Sequence, residues 1–308
     1  MNNKTIFSVV ATIIIIAGGV FALQQFNTSQ NKTADSRKGT FDASIANLPE
    51  AKPSEVVELK NGDTYDMTAS IVKKKIGDAE VKMLTYNGSI PGPMIKVPKG
   101  AEITINLTNN TDVETALHSH GVRLANAFDG VPDVTQEPIG IGETFTYKIK
   151  FPDEGLYWYH PHVREDYAQE LGLYGNYLVA SPDSNYLSPV NREVSLMLDD
   201  ILIENGAIVP FSKESANYAL MGRFGNVMLA SGETDYSLDV KKGEVVRLFL
   251  TNTANTRIFK FSIPGAQMKL VGGDSGKYEK EAFVDSVVLA PSERTIVDAL
   301  FKESGEYP

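Results

Sequence analysis

All four histidines of the chain lie within 45 residues, as two His-x-His pairs: His118-Ser119-His120 and His160-Pro161-His162. In an extended strand, residues i and i+2 point to the same face, so each pair offers two imidazoles side by side. If the two strands are neighbours, all four rings converge. Neutral imidazole suits copper, zinc, iron and nickel. A lone histidine is most simply a surface or core residue. Two pairs that hold every histidine of a 308-residue chain read instead as a metal site. Tyr157-Trp158-Tyr159 precedes the second pair and is expected to wall the site with aromatic rings, excluding water and orienting the imidazoles.

The elements that must position these pairs are short. Glu102-Ile103-Thr104-Ile105-Asn106-Leu107 and Thr144-Phe145-Thr146-Tyr147-Lys148-Ile149-Lys150-Phe151 alternate polar with apolar residues. Such runs recur from about Val56 onward, separated by Gly, Pro, Asn and Asp. Period-two alternation with turn residues between predicts an antiparallel sandwich or barrel.

The chain also repeats itself. Val97-Pro98-Lys99-Gly100 through Leu107-Thr108-Asn109 aligns with Val240-Lys241-Lys242-Gly243 through Leu250-Thr251-Asn252 at an offset of 143 residues. Phe151 through Tyr157 aligns with Phe301 through Tyr307 at an offset of 150 residues. Two copies of one sandwich are expected, joined near Ser181-Pro182-Asp183. At the first offset His118 maps to Phe261 and His120 to Ile263. The fold therefore does not need imidazoles there, and chemistry does. Tyr157 is followed by the second histidine pair and another strand, whereas the chain closes one residue after Tyr307. The second copy is therefore expected to be incomplete, and the chain to be a piece of a longer protein.

The formal net charge of −10 disfavours a nucleic-acid partner, which clustered Lys and Arg would bind. The chain contains no cysteine, so disulfides, thiolate catalysis and Cys-ligated metal are excluded within it. Lys4 precedes an uncharged, mostly apolar run from Ile6 to Leu23. This reads as a cleaved signal peptide or as an uncleaved membrane anchor (residues 1–23), and either sends the rest of the chain out of the cytoplasm. Residues 24–55 are polar and small-rich and read as a linker. Residues 56–182 are expected to form the first domain and 190–308 the second.

Asn87-Gly88-Ser89-Ile90-Pro91-Gly92-Pro93, His118-Ser119-His120-Gly121, Asp129-Gly130-Val131-Pro132 and Trp158-Tyr159-His160-Pro161-His162 occur in this order. Together they resemble the first domain of the multicopper oxidases, a family that includes laccases, bilirubin oxidases and metal-ion oxidases. The resemblance implies an all-β fold of tandem cupredoxin-like Greek-key β-sandwiches, the second incomplete. It implies an oxidase that takes single electrons from a small reducing substrate, a phenol or a metal ion, and passes them to dioxygen. By position, His118 would ligate the type 2 copper, His120 and His160 would share one type 3 copper, and His162 would bind the other. Those are half of the family's eight cluster histidines. The others, and the type 1 copper with its Cys and His ligands, would come from a third domain. Asp129 matches the family's proton donor near the type 2 copper, and Asp-Gly before Val-Pro is also good turn chemistry. Both roles can hold at once.

Arg164, Glu165, Asp166 and Glu170 are expected in a solvated loop rather than as groups that orient the imidazoles. Met221 and Met228 read as core or loop residues. Three other readings stand beside the oxidase. One is a copper-binding or copper-resistance protein without turnover. Another is a relative of copper nitrite reductase, which would need a Cys in its first domain. The third is a structural cupredoxin relative that has lost its metal, against which the four intact histidines argue. Location is expected to be the cell surface, periplasm or extracellular space.

Overall fold

The alternating segments form strands where the pattern places them. In the computed structural model, residues 42–211, 217–218, 221–274 and 276–308 are described. The first apolar-polar run becomes β5 (Glu102–Asn110), with Ile103, Ile105 and Leu107 buried and the intervening Glu102, Thr104 and Asn106 turned outward. It lies between β2 (Thr64–Ile76), to which it runs parallel, and antiparallel β7 (Thr144–Lys150); β3 (Ala79–Tyr86) completes a four-stranded sheet ordered β3-β2-β5-β7. A five-stranded sheet contains β1 (Val56–Glu58), β4 (Met94–Pro98), β9 (Gly175–Ala180), β8 (Gly155–His160) and β6 (His118–His120), in that order. The core between the sheets holds Leu84, Ile95, Ile105, Tyr147, Phe151 and Tyr177, all fully buried. Each such side chain contributes roughly 1.5–3 kcal/mol by leaving water.

The second half repeats this plan. Its strand β10 (Arg192–Ile201) runs parallel to β14 (Val245–Asn252), which pairs antiparallel with β19 (Arg294–Leu300). With β13 (Val227–Ala230), β16 (Gln267–Gly273) and β17 (Gly276–Val284) they make a six-stranded sheet. The repeat extends to single hydrogen bonds. Gly100 N donates to Phe151 O at 2.7 Å and Gly243 N to Phe301 O at 2.7 Å, the same pairs that the sequence offsets align. Asn109 bridges Val113 and Ile139 with its Nδ2, as Asn252 bridges Arg257 and Leu289. Among the described residues, two-stranded ladders of β11 (Ile203–Glu204) with β12 (Ala207–Ile208) and of β15 (Phe259–Phe261) with β18 (Val287–Leu289) accompany the six-stranded sheet. Phe261, aligned with His118, sits in the second of these ladders.

The domains meet on β8. Leu156 of β8, with Met94 and Leu178, packs against Phe249, Val271 and Ile296 of the second domain in a separate buried cluster. Polar contacts cross beside it: Asn176 Nδ2 donates to Thr251 Oγ1 at 2.8 Å, and Gln169 Nε2 to Thr253 O at 2.9 Å. Both halves belong to one compact unit, residues 41–308.

Residues 42–55 depart from the expected linker. Ala51 N donates to Lys73 O, Lys52 N to Gly88 O and Ser54 Oγ to Gly92 O, so this segment lies along the first domain. Backbone pairing of a polar strip carries no compositional signal. Residues 1–23, read as a signal or anchor, lie outside the described residues. Among the described residues no helix is long and apolar enough to cross a membrane.

Candidate metal centre

Strand pairing brings the two histidine motifs together. β6 is the edge strand of its sheet and runs antiparallel to β8, with His118 opposite His160 and His120 opposite Trp158. The inward-facing residues fix β6: Leu117 N donates to the Tyr147 hydroxyl at 2.9 Å, and Ser119 Oγ meets the Tyr177 hydroxyl at 3.3 Å. The four rings then share one face. The His118 ring centroid is 5.5 Å from that of His120, 5.3 Å from His160 and 4.5 Å from His162. Nitrogens of His118, His120 and His160 all lie within 4.8 Å of one another. His162 stands just outside that group of three, its ring 5.1 Å from His160. The four rings differ in how open they are to solvent. His118, His120 and His162 are partly open, but His160 is only 5% exposed.

The hydrogen bonds decide which nitrogen each ring can offer. His118 Nδ1 lies 2.7 Å from the backbone oxygen of Asp129, an acceptor only, so this nitrogen carries the proton and Nε2 is free. His160 Nδ1 likewise donates to Pro161 O at 2.9 Å. His162 Nδ1 is held by the Glu165 carboxylate, at the start of a single helical turn, α1 (Glu165–Ala168). His120 is turned the other way: its Nδ1 lies 3.3 Å from His160 Nε2. Without metal, that contact can be a hydrogen bond between rings. Two nitrogens at this spacing are also what one ion would subtend with about 2.0 Å to each and a near-tetrahedral angle. The donor set therefore fits an imidazole-bound metal, with one Nδ1 ligand among Nε2 ligands.

The rings are prepared for metal rather than protons. Burial lowers the pKa of His118, partly offset by its bond to Asp129 O. Burial and then the positive charge of Arg294 bring His120 down to about 4. Burial, and then the neighbouring imidazoles, push His160 well below the usual range. Metal binding requires the neutral ring, so for these three protons compete only in acid solution.

Trp158 lies against His160 with centroids 4.1 Å apart and planes inclined by 19°, and 5.3 Å from the His120 ring. It is the aromatic wall expected there. Tyr157 and Tyr159 face the other way, as strand alternation requires, and the Tyr159 hydroxyl donates to Pro93 O at 2.5 Å in the core. The Asp129 carboxylate sits 3.4 Å from His118 Nδ1 and is one-third exposed, between the ring and solvent. The next residue, Gly130, has φ +72°, and a Cβ there would lie 2.0 Å from Leu117 O, so only glycine lets this loop pack against β6.

The charges after the second pair are a solvated loop only in part: Asp166 is exposed, but Glu165 and Glu170 have partners. Glu165 orients His162, Arg164 Nε pairs with Asp166 at 2.8 Å, and Glu170 is buried against Arg223 of the second domain at 3.2 Å. Met221 and Met228 are exposed, outside any core.

Two family profiles described as multicopper oxidase match the chain, one over residues 68–184 and one over residues 195–308. The chain belongs to the multicopper oxidase family. Curated multicopper oxidases similar to it include multicopper oxidase mco of Staphylococcus aureus, 30% identical over 68% of this chain and 47% of that protein. Laccase-15 of Oryza sativa subsp. japonica is 31% identical over 74% of this chain and 40% of that protein. Among solved multicopper oxidases, one from Pseudomonas thermotolerans superposes with a TM-score of 0.73 at 29% identity, covering 81% of this chain and 60% of that one. The chain thus spans about half the length of the curated relatives it matches.

Proposed function

We propose that this chain supplies half of the imidazole ligands of a multicopper oxidase's oxygen-reducing copper cluster. His118 would hold the type 2 copper through Nε2. His120 Nδ1 and His160 Nε2 would share one type 3 copper, and His162 Nε2 would reach the other. The observation that carries this is the convergence of His120 Nδ1 and His160 Nε2 to 3.3 Å in a chain of this family. Bound copper would supply one-electron storage, so that electrons taken singly from a reducing substrate reach dioxygen together and water is the product.

The chain's own residues do the rest. Asp129 O, Pro161 O and the Glu165 carboxylate hold three rings in the tautomer that leaves Nε2 free. Trp158 keeps water from the shared pair. The Asp129 carboxylate, open to solvent on one side and beside His118 on the other, would carry protons inward.

The remaining ligands would come from a third domain of the same protein, with a Cys-containing type 1 site where electrons enter. The relatives' greater length and the absence of cysteine here support that. A phenol or a reduced metal ion is the substrate class proposed, with export to the cell surface, periplasm or extracellular medium and residues 6–23 as signal or anchor. The lack of cysteine speaks against the nitrite-reductase alternative.

The test is oxygen uptake with a phenolic or cuprous substrate by the copper-loaded full-length protein and by this chain. Turnover is expected from the full-length protein alone. Asp129→Asn should slow it by roughly 10²–10⁴-fold with copper content unchanged, because the His118 contact is to a backbone oxygen that the substitution keeps. Loss of copper in Asp129→Asn would make its role structural, and rapid turnover by this chain alone would overturn the proposal.

A further inference from the structure

The second domain has no imidazoles, yet one of its side chains reaches the histidine strands. Arg294, the first residue of β19, is only 5% exposed. Its Nε donates to Leu156 O of β8 at 3.3 Å and its Nη1 to Ser292 O at 2.8 Å, while Nη1 pairs with the Asp274 carboxylate at 3.0 Å. The far side of the guanidinium lies against the residue that follows His120. A Cβ on Gly121 would come within 2.6 Å of Arg294 Nη2. Gly121 therefore leaves a notch, and the guanidinium fills it.

We infer that Arg294 is the second domain's contribution to the copper site, a positioning residue that seats β19 behind Gly121 and sets a fixed positive charge against the copper shared by His120 and His160, favouring Cu(I) over Cu(II). This rests on the copper reading above. The physical reason is Coulombic: a neighbouring cation opposes a doubly charged ion more than a singly charged one, and burial limits screening. Asp274 offsets the charge only in part, since its side chain is 48% exposed. Tyr157 and Glu293 are the other ionisable groups that Arg294 senses.

The experiment compares Cu(I) and Cu(II) affinities of the chain by competition with chelators selective for each ion, in wild type, Arg294→Gln, Arg294→Lys and Asp274→Asn. His120→Ala serves as the control that copper enters through that ring. Arg294→Gln is expected to lower the ratio of Cu(I) to Cu(II) affinity about tenfold. Arg294→Lys keeps the charge and should stay near wild type. Asp274→Asn leaves the guanidinium uncompensated and should raise the ratio. Lost packing cannot produce shifts of opposite sign, so the pair separates electrostatics from a merely structural role. If Arg294→Gln does not fold, a ratio in Asp274→Asn no higher than wild type overturns the inference. Copper uptake that needs His120, with one ratio for all variants, overturns this inference alone. A wild-type chain that takes up no copper overturns the copper reading and this inference with it.

Discussion

His160→Ala is expected to weaken copper binding by the chain about a hundredfold or more, measured by competition titration with a copper chelator. His160 is the most buried of the four imidazoles, supplies one of the two nitrogens that converge at 3.3 Å, and has Trp158 stacked on it. Losing even the outer partner of a ligand typically costs 10–100-fold in affinity, and losing the ligand itself should cost at least as much. His162→Ala removes a ring outside the convergent group and should cost far less in this chain. Near-ultraviolet circular dichroism would verify that the sandwich persists. Equal copper affinity in wild type and a folded His160→Ala chain would show that copper is held elsewhere.

The second large effect is expected at the domain junction. Glu170, 2% exposed, meets Arg223 Nε at 3.2 Å, with Asn255, Asp199 and Asp200 close by and Arg257 paired to Asp200. Burial raises its pKa to about 7 despite the arginine. An acid whose folded pKa is raised binds more protons folded than unfolded. Its stabilisation is therefore complete below the unfolded value near 4.5 and is lost as pH rises through about 7. Asp199, raised by burial and by Glu170, acts in the same direction. Urea midpoints of the metal-free chain should thus fall between pH 5 and pH 8. Glu170→Gln, which cannot ionise, should remove roughly 3 kcal/mol of that decline. Arg223→Met would leave the carboxylate without its partner and should destabilise at pH 8 by about 3–5 kcal/mol. Parallel pH curves for wild type and Glu170→Gln would contradict this account of the junction.

Much of the fold was legible because its determinants are local. Ile103, Ile105 and Leu107 alternate with polar residues, and β5 follows that alternation. The repeat was legible because the turn at Lys99-Gly100 returns at Lys242-Gly243, where the structure closes the same hydrogen bond. The histidine pairs were legible for a different reason: metal chemistry restricts residue type, and strand geometry restricts spacing. Aromatic character alone makes Tyr157 and Tyr159 read as part of the wall, whereas the strand's period of two places only Trp158 beside the rings.

Arg294, Glu165 and Glu170 illustrate what stayed hidden. Arg294 meets Gly121 across more than half of the described chain, and no local pattern marks such a contact. Glu165 and Glu170 sit in a charged run, which ordinarily means a solvated surface. One of them orients a ring and the other is buried because the second domain closes over it. Residues 42–55 read as a linker because many of their contacts with the first domain run through backbone groups, which every sequence possesses, and the side-chain contacts that join them, Ser54 Oγ to Gly92 O and Glu50 to Lys73, involve ordinary polar residues.

The most direct test of the central claim is the position of copper itself. Crystals of the copper-loaded chain, measured on both sides of the copper absorption edge, would locate the ion by anomalous scattering. A peak about 2.0 Å from both His120 Nδ1 and His160 Nε2 is expected. Copper bound through His120 Nε2, or at carboxylates away from the two His-x-His pairs, would contradict it.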